Sequence, residues 1–162
     1  MATVKISYAA AATVSCSIAS LASSSTLSRG SFVIDNTTNL YDDALLAVSV
    51  KVSGTAMGQD KAVYVYLWGS EDGTLNEGSS LENVGSDALV AVENPTSLKG
   101  PLVISCPGTM RTYRAVTSVA QFWGGRIPRK WGFVIRNSTN QILSAVESEH
   151  TKSYTGITYT VV

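Results

Sequence analysis

Charge is scarce in this chain. Asp, Glu, Lys and Arg make up 15% of its 162 residues, against about a quarter in an average globular domain. The 12 basic and 12 acidic residues cancel, so no net field points to phosphate backbones or an anionic lipid surface, and neither nucleic acid nor membrane is expected as a partner. There is a single histidine, His150, and no serine stands in a G-x-S-x-G elbow; a Ser-His-Asp triad cannot be assembled from these residues. Cysteine is nearly absent: Cys16 and Cys106 lie far apart, without metal-ligand spacing, and each occupies the apolar phase of an alternating run, as a small buried hydrophobe would. Whether they pair is a question of geometry. No apolar run reaches 18 residues, so no membrane-spanning helix is expected. The alanine-rich opening, MATVKISYAAAATVSCSIAS, is interrupted by Ser7, Tyr8, Thr13, Ser15 and Ser17, which argues against a secretory leader.

What is abundant is β-forming texture. Hydrophobic residues reach 44%, Ser and Thr are plentiful, and short alternating or β-branched runs recur between turn-forming segments. These runs predict strands near 3–8, 12–19, 31–35, 44–52, 62–69, 88–93, 101–106, 110–119, 131–136, 142–146 and 152–161. The segment 118–125 is the one weak helical candidate, read as a single turn before the Gly pair. Many short strands in one domain of this length imply two packed sheets. The expectation is a single all-β domain over residues 1–162, a jelly-roll-like sandwich of antiparallel strands, with a partly closed barrel as the alternative.

Residues with chemistry to offer are few. Glu71, Asp72, Glu77, Glu82, Asp87 and Glu93 crowd one region, but they fall mostly in a Gly/Ser-rich loop and lack the spacing of an EF-hand. No catalytic, cofactor or metal residues are assigned. His150 reads as an exposed strand-end histidine. Two N-x-S/T triplets, at Asn36 and Asn137, carry no assigned role. Tyr64, Tyr66 and Trp68 share one face of a predicted strand, opposite Val63, Val65 and Leu67. They suit a packed face or subunit interface, and alternatively a flat platform for a sugar. Trp131, Phe133 and Ile135 likewise share the inward face of a strand, which makes the preceding IPRK its approach and leaves Arg129 and Lys130 at its edge.

Charge is also unevenly placed. From Ala62 to Leu98 there are six acids and no base, and from Lys99 to Arg136 seven bases and no acid. Arg126, Arg129, Lys130 and Arg136 are therefore interface candidates, with Glu71 and Asp72 as their acidic counterparts on another copy. Pairing of the same charges within one molecule is the competing arrangement.

The ordered phrases ISY, ASLASSSTLSRGS, IDNTTNLYDDALLAVSVKV, IPRKWGFVIRNSTNQIL and YTGITYTVV resemble small structural proteins from the virions of tailed bacteriophages. The resemblance implies a β-sandwich without enzymatic activity, present in many copies and bound to itself and to a major capsid, neck or tail protein. It would be assembled in the host bacterial cytoplasm and carried in the virion. A capsid decoration or cement protein is the leading expectation, with a neck, baseplate or tail-fibre component close behind. The reading from a different class is a carbohydrate-binding module that aids host attachment.

Overall fold

The computed structural model describes residues 3–54, 61–71, 85–92, 98–108 and 110–162. Eleven strands are present among them: β1 Val4–Tyr8, β2 Ala12–Thr13, β3 Leu27–Gly30, β4 Ile34–Asp35, β5 Asp43–Lys51, β6 Ala62–Ser70, β7 Leu89–Ala91, β8 Lys99–Ser105, β9 Thr112–Ser118, β10 Lys130–Ser138 and β11 Thr151–Val161. One sheet has the order β1-β11-β5-β9, with β2 also on β11; the other has β7-β3-β10-β6-β8, with β4 also on β10. The pairing is nested. β1 and β2 meet β11, β3 and β4 meet β10, β5 meets β9, and β6 meets β8. Successive nested pairs fall in alternate sheets, so the chain is a long antiparallel ribbon folded over on itself. That is the jelly roll, and β7 is an addition outside the nest, on the free edge of β3.

Alternation dictates the core. Ala44, Leu46, Val48 and Val50 of β5 face Val63, Val65 and Leu67 of β6 and Trp131, Phe133 and Ile135 of β10, all buried. Trp131 links the sheets directly, meeting Tyr154 of β11 edge to face with centroids 5.6 Å apart. Val14, Cys16 and Ile18 are buried on the expected phase. Their segment joins no ladder beyond β2, however, because it is held by isolated contacts such as Val14 N–H to the Lys152 carbonyl (2.8 Å) and Phe32 N–H to the Ser15 carbonyl (3.0 Å).

Two further local expectations change, and one holds. Leu27–Gly30 is a strand where turn residues were read. Residues 142–146 contribute only a bridge, Leu143 to Val52, before a 3-10 turn at Glu147–Glu149. The helical candidate is a 3-10 turn, Ala120–Trp123, closed by Gly124 in the left-handed region at φ 69°, where a side chain would be strained. Buried Asp43 pins its start: one carboxylate oxygen accepts from Ala120 N–H (2.8 Å) and the other from the Ser118 hydroxyl (2.7 Å).

Candidate interaction surfaces

The aromatic face of β6 is largely covered. Tyr66 and Trp68 are each 6% exposed and pack with Val90, Val92, Leu98 and Val134 in a second apolar cluster outside the main core, with Tyr64 half-buried beside them. These rings do not present a joint flat surface to solvent, as a sugar platform on them would need. Arg136 belongs to the same face. It lies opposite Tyr64 across the β10–β6 ladder, and its guanidinium sits 5.2 Å from the ring centroids of both Tyr64 and Tyr66. It also donates to the Tyr66 hydroxyl (2.6 Å) and the Ser25 carbonyl (3.4 Å). A cation held this way makes these contacts within the molecule.

The rest of the basic run sits at one corner. Arg126 and Arg129 are exposed and Lys130 is half-buried. Lys130 is the cross-strand partner of both Asp35 in β4 and Ser70 in β6, and exposed Glu71 follows Ser70 directly. The acidic and basic candidates that are described therefore lie at the same end of one sheet, not at opposite edges as a head-to-tail contact requires. Asp72 lies outside the described residues, as do Glu77, Glu82 and Glu93. The Asp35 carboxyl is held below its usual value, first by hydrogen bonds from the Thr37 hydroxyl and amide, then by the Lys130 and Arg129 charges. Among the described residues the ion pairs are Arg29–Asp87, Lys51–Glu149 and Lys152–Glu147. None of them uses Arg126, Arg129 or Lys130.

His150 is not the exposed residue the sequence suggested. It is 4% exposed; Nδ1 accepts from Lys51 N–H (3.1 Å) and Nε2 lies 3.1 Å from the Ser144 carbonyl. Those contacts fit a neutral ring with the proton on Nε2, and both nitrogens are occupied by backbone. Beside it runs an open groove of about 600 Å³, lined by Ser15, Phe32, Asp87, Glu147 and Lys152 among others. Its charges are engaged: Lys152 donates to Glu147, which also accepts from Ala19 N–H (2.7 Å). Asp87 accepts from Ser17 N–H (2.9 Å), the Ser17 hydroxyl (2.5 Å) and Arg29 Nε (2.6 Å). Cys16, beneath the groove, is a free thiol pushed up to about 12 by burial, and free Cys106 is pushed up to about 11 by the same cause. Both are the inert buried cysteines their alternation implied.

A further exposed apolar surface lies elsewhere, and no candidate residue named from the sequence lies on it. β11 is long: Thr151–Ile157 pairs with β5, and Ile157 opposite Asp43 is the last pair. Beyond that point β1 is the only strand beside β11 among the described residues, in a two-stranded ribbon where Val4 faces Val161 and Ile6 faces Tyr159, while Tyr159 N–H donates to the Asp42 carboxylate (2.7 Å). Directly opposed residues share a face. Val4, Ile6, Tyr8, Tyr159 and Val161, between 48% and 69% exposed, therefore form one apolar stripe, while Lys5, Ser7, Thr158 and Thr160 form the polar one. The signal was present in the alternation of VKISY and ITYTV; what sequence could not give was that no third strand covers them. No protein-family model, no curated protein and no solved structure matches the chain.

Proposed function

We propose that this protein is a non-enzymatic structural component of a tailed-bacteriophage virion, a decoration or cement protein that bridges neighbouring capsid subunits. The observation that carries this reading is the terminal ribbon. A two-stranded ribbon is marginally stable by itself in water, and a soluble monomer rarely leaves a contiguous apolar stripe without a partner. The ribbon and the cations at Arg126 and Arg129, outside every ion pair among the described residues, offer apolar and charged contacts to a neighbouring subunit. The resemblance along the chain supplies the kind of assembly. Burial of Tyr66 and Trp68 weighs against the carbohydrate-binding alternative on that face.

The test is to incubate wild-type protein and the Arg126→Glu, Arg129→Glu, Lys130→Glu triple variant with phage particles lacking the protein, and to count bound copies at low salt and at about 1 M salt. Interfacial charge pairs are worth about 1.5 kcal/mol or more each, against roughly 0–1 kcal/mol for exposed pairs within one molecule. The reversed protein should lose most bound copies at low salt. Wild type should weaken toward about 1 M salt, where the screening length falls to roughly 3 Å, and retain the share of binding that the apolar ribbon supplies. Density on heads supports the decoration role, and density confined to necks or tails replaces it with the neck, baseplate or tail-fibre reading. Absence of wild-type binding to any particle overturns the proposal.

A further inference from the structure

The free edge of β1 carries a specific partner in its geometry. β1 terminates its sheet, and among the described residues its outer side pairs with no strand. On its inner side, Thr3 N–H donates to the Val162 carbonyl and Val162 N–H to the Thr3 carbonyl, each at 2.9 Å, and Ala9 N–H donates to the Gly156 carbonyl at 2.9 Å. Antiparallel hydrogen bonding alternates along a strand. Thr3, Lys5, Ser7 and Ala9 thus turn their backbone groups toward β11, and Val4, Ile6 and Tyr8 turn theirs outward. An open row of donors and acceptors in an alternating strand is a template for pairing with another chain.

We infer that this edge pairs antiparallel with the β1 of a second copy, about a two-fold axis through Ile6. In that register Val4 lies opposite Tyr8 of the second copy and Ile6 opposite its counterpart, so every outward N–H meets an outward carbonyl. Lys5, the strand's one charge, falls opposite Ser7. A register centred on Lys5 sets two ammonium groups against each other and gives Tyr8 no partner within Val4–Tyr8. One centred on Ser7 sets Val4 opposite Ala10, beyond the end of β1. Of the three registers, the Ile6-centred one alone pairs every outward residue of Val4–Tyr8 with another residue of that strand and avoids like-charge contact, which is the self-complementarity an isologous interface requires. The two apolar stripes then join on one face of a continuous sheet, Val4 beside Tyr8 and Ile6 beside Ile6. This dimer does not depend on the virion assignment and is open to test with the isolated protein.

Sedimentation equilibrium or light scattering over a concentration series reads it directly. Wild type should reach the mass of two chains. Ile6→Pro removes only an outward N–H and leaves the β1–β11 ladder intact, as proline on an outward-facing edge position does; the mass should fall to one chain with unchanged circular dichroism. Ser7→Lys should also dissociate the dimer, by setting a second ammonium group opposite Lys5 of the other copy, and carries the test should Ile6→Pro disturb the ribbon. Adding Lys5→Glu to Ser7→Lys should restore the two-chain mass, because the introduced carboxylate of one copy then faces the introduced ammonium of the other across the two-fold. A wild type that stays at one chain throughout overturns the inference. So does a folded Ile6→Pro protein that still dimerises, or a double variant that stays dissociated while Ser7→Lys alone is monomeric.

Discussion

At the scale of single residues, the polar groups that sequence reading treats as surface chemistry turn out to organise the fold. Asn137 stands in an N-S-T triplet, but it is fully buried. Its Nδ2 donates to the Leu21 carbonyl (2.9 Å) and the Gln141 carbonyl (2.7 Å), and its Oδ1 accepts from Thr139 N–H (3.0 Å) and the Thr139 hydroxyl (2.7 Å). The side chain closes the turn after β10 and ties it to the segment around Leu21. Asn137→Asp should therefore set an acceptor against two carbonyls and bury a charge, costing about 3 kcal/mol or more. Urea unfolding near neutral pH measures the loss, which should shrink at acid pH, where a protonated carboxyl donates to one of the two carbonyls. A change within about 0.5 kcal/mol of wild type, the range of an ordinary surface substitution, would refute the role. The turn at RNSTNQ was legible from its residue types. The burial of Asn137 and His150 was not, because a polar residue's exposure depends on which carbonyls the tertiary fold brings to it.

At the scale of elements, alternation located the inward face of β10 correctly and separated the two faces of β6, since a period of two keeps Val63, Val65 and Leu67 together. β3 escaped because Leu27–Gly30 reads LSRG, with buried Ser28 and Gly30 and an exposed Leu27; it is a strand by virtue of its place beside β10, not its composition. Packing on the outer face of β10 explains another choice that sequence alone leaves open. Gly132 lies directly opposite Trp68, and a Cβ there would come within 2.6 Å of the Trp68 ring and 2.8 Å of the Ser31 hydroxyl. Gly132→Ala should destabilise the protein by about 1–3 kcal/mol through overpacking. Combining it with Trp68→Leu should cost less than the sum of the two single changes, since the smaller side chain frees the space the methyl needs. Additive losses in thermal or urea melts would show that the ring and the glycine do not constrain each other.

At the scale of the whole molecule, strand number and brevity implied a two-sheet sandwich, and the nested pairing realises it as a jelly roll. The terminal ribbon could not be foreseen, since it arises from a mismatch in length: β11 spans 11 residues and β5 spans 9, and their offset leaves β1 as the only strand beside the overhang among the described residues. The position of the acidic groups has a consequence for the molecule as a unit. Arg29–Asp87 ties the segment at 85–88 to β3, with Ser17 as a further anchor, while Lys152–Glu147 and Lys51–Glu149 hold the turn before β11. Burial alone would raise the Asp87 carboxyl, but the Ser17 hydroxyl and amide and the Arg29 guanidinium outweigh it and hold it below its usual value. Glu147 is held low in the same way, burial being outweighed by Lys152 and Ala19 N–H. A carboxyl lowered in the folded state contributes stability above its unfolded pKa of about 4, and that contribution is lost as pH falls through the folded value. Wild type should therefore lose stability progressively below about pH 4. Asp87→Asn should be less stable than wild type near neutral pH by about 1 kcal/mol, after allowance for solvent screening of a partly exposed pair. The two proteins should converge in the acid range, where the wild-type carboxyl is protonated and its pair with Arg29 is gone. Parallel urea titrations from neutral to acid pH decide it: a gap between the two proteins that persists unchanged into acid would show that Asp87 acts by shape and not by charge.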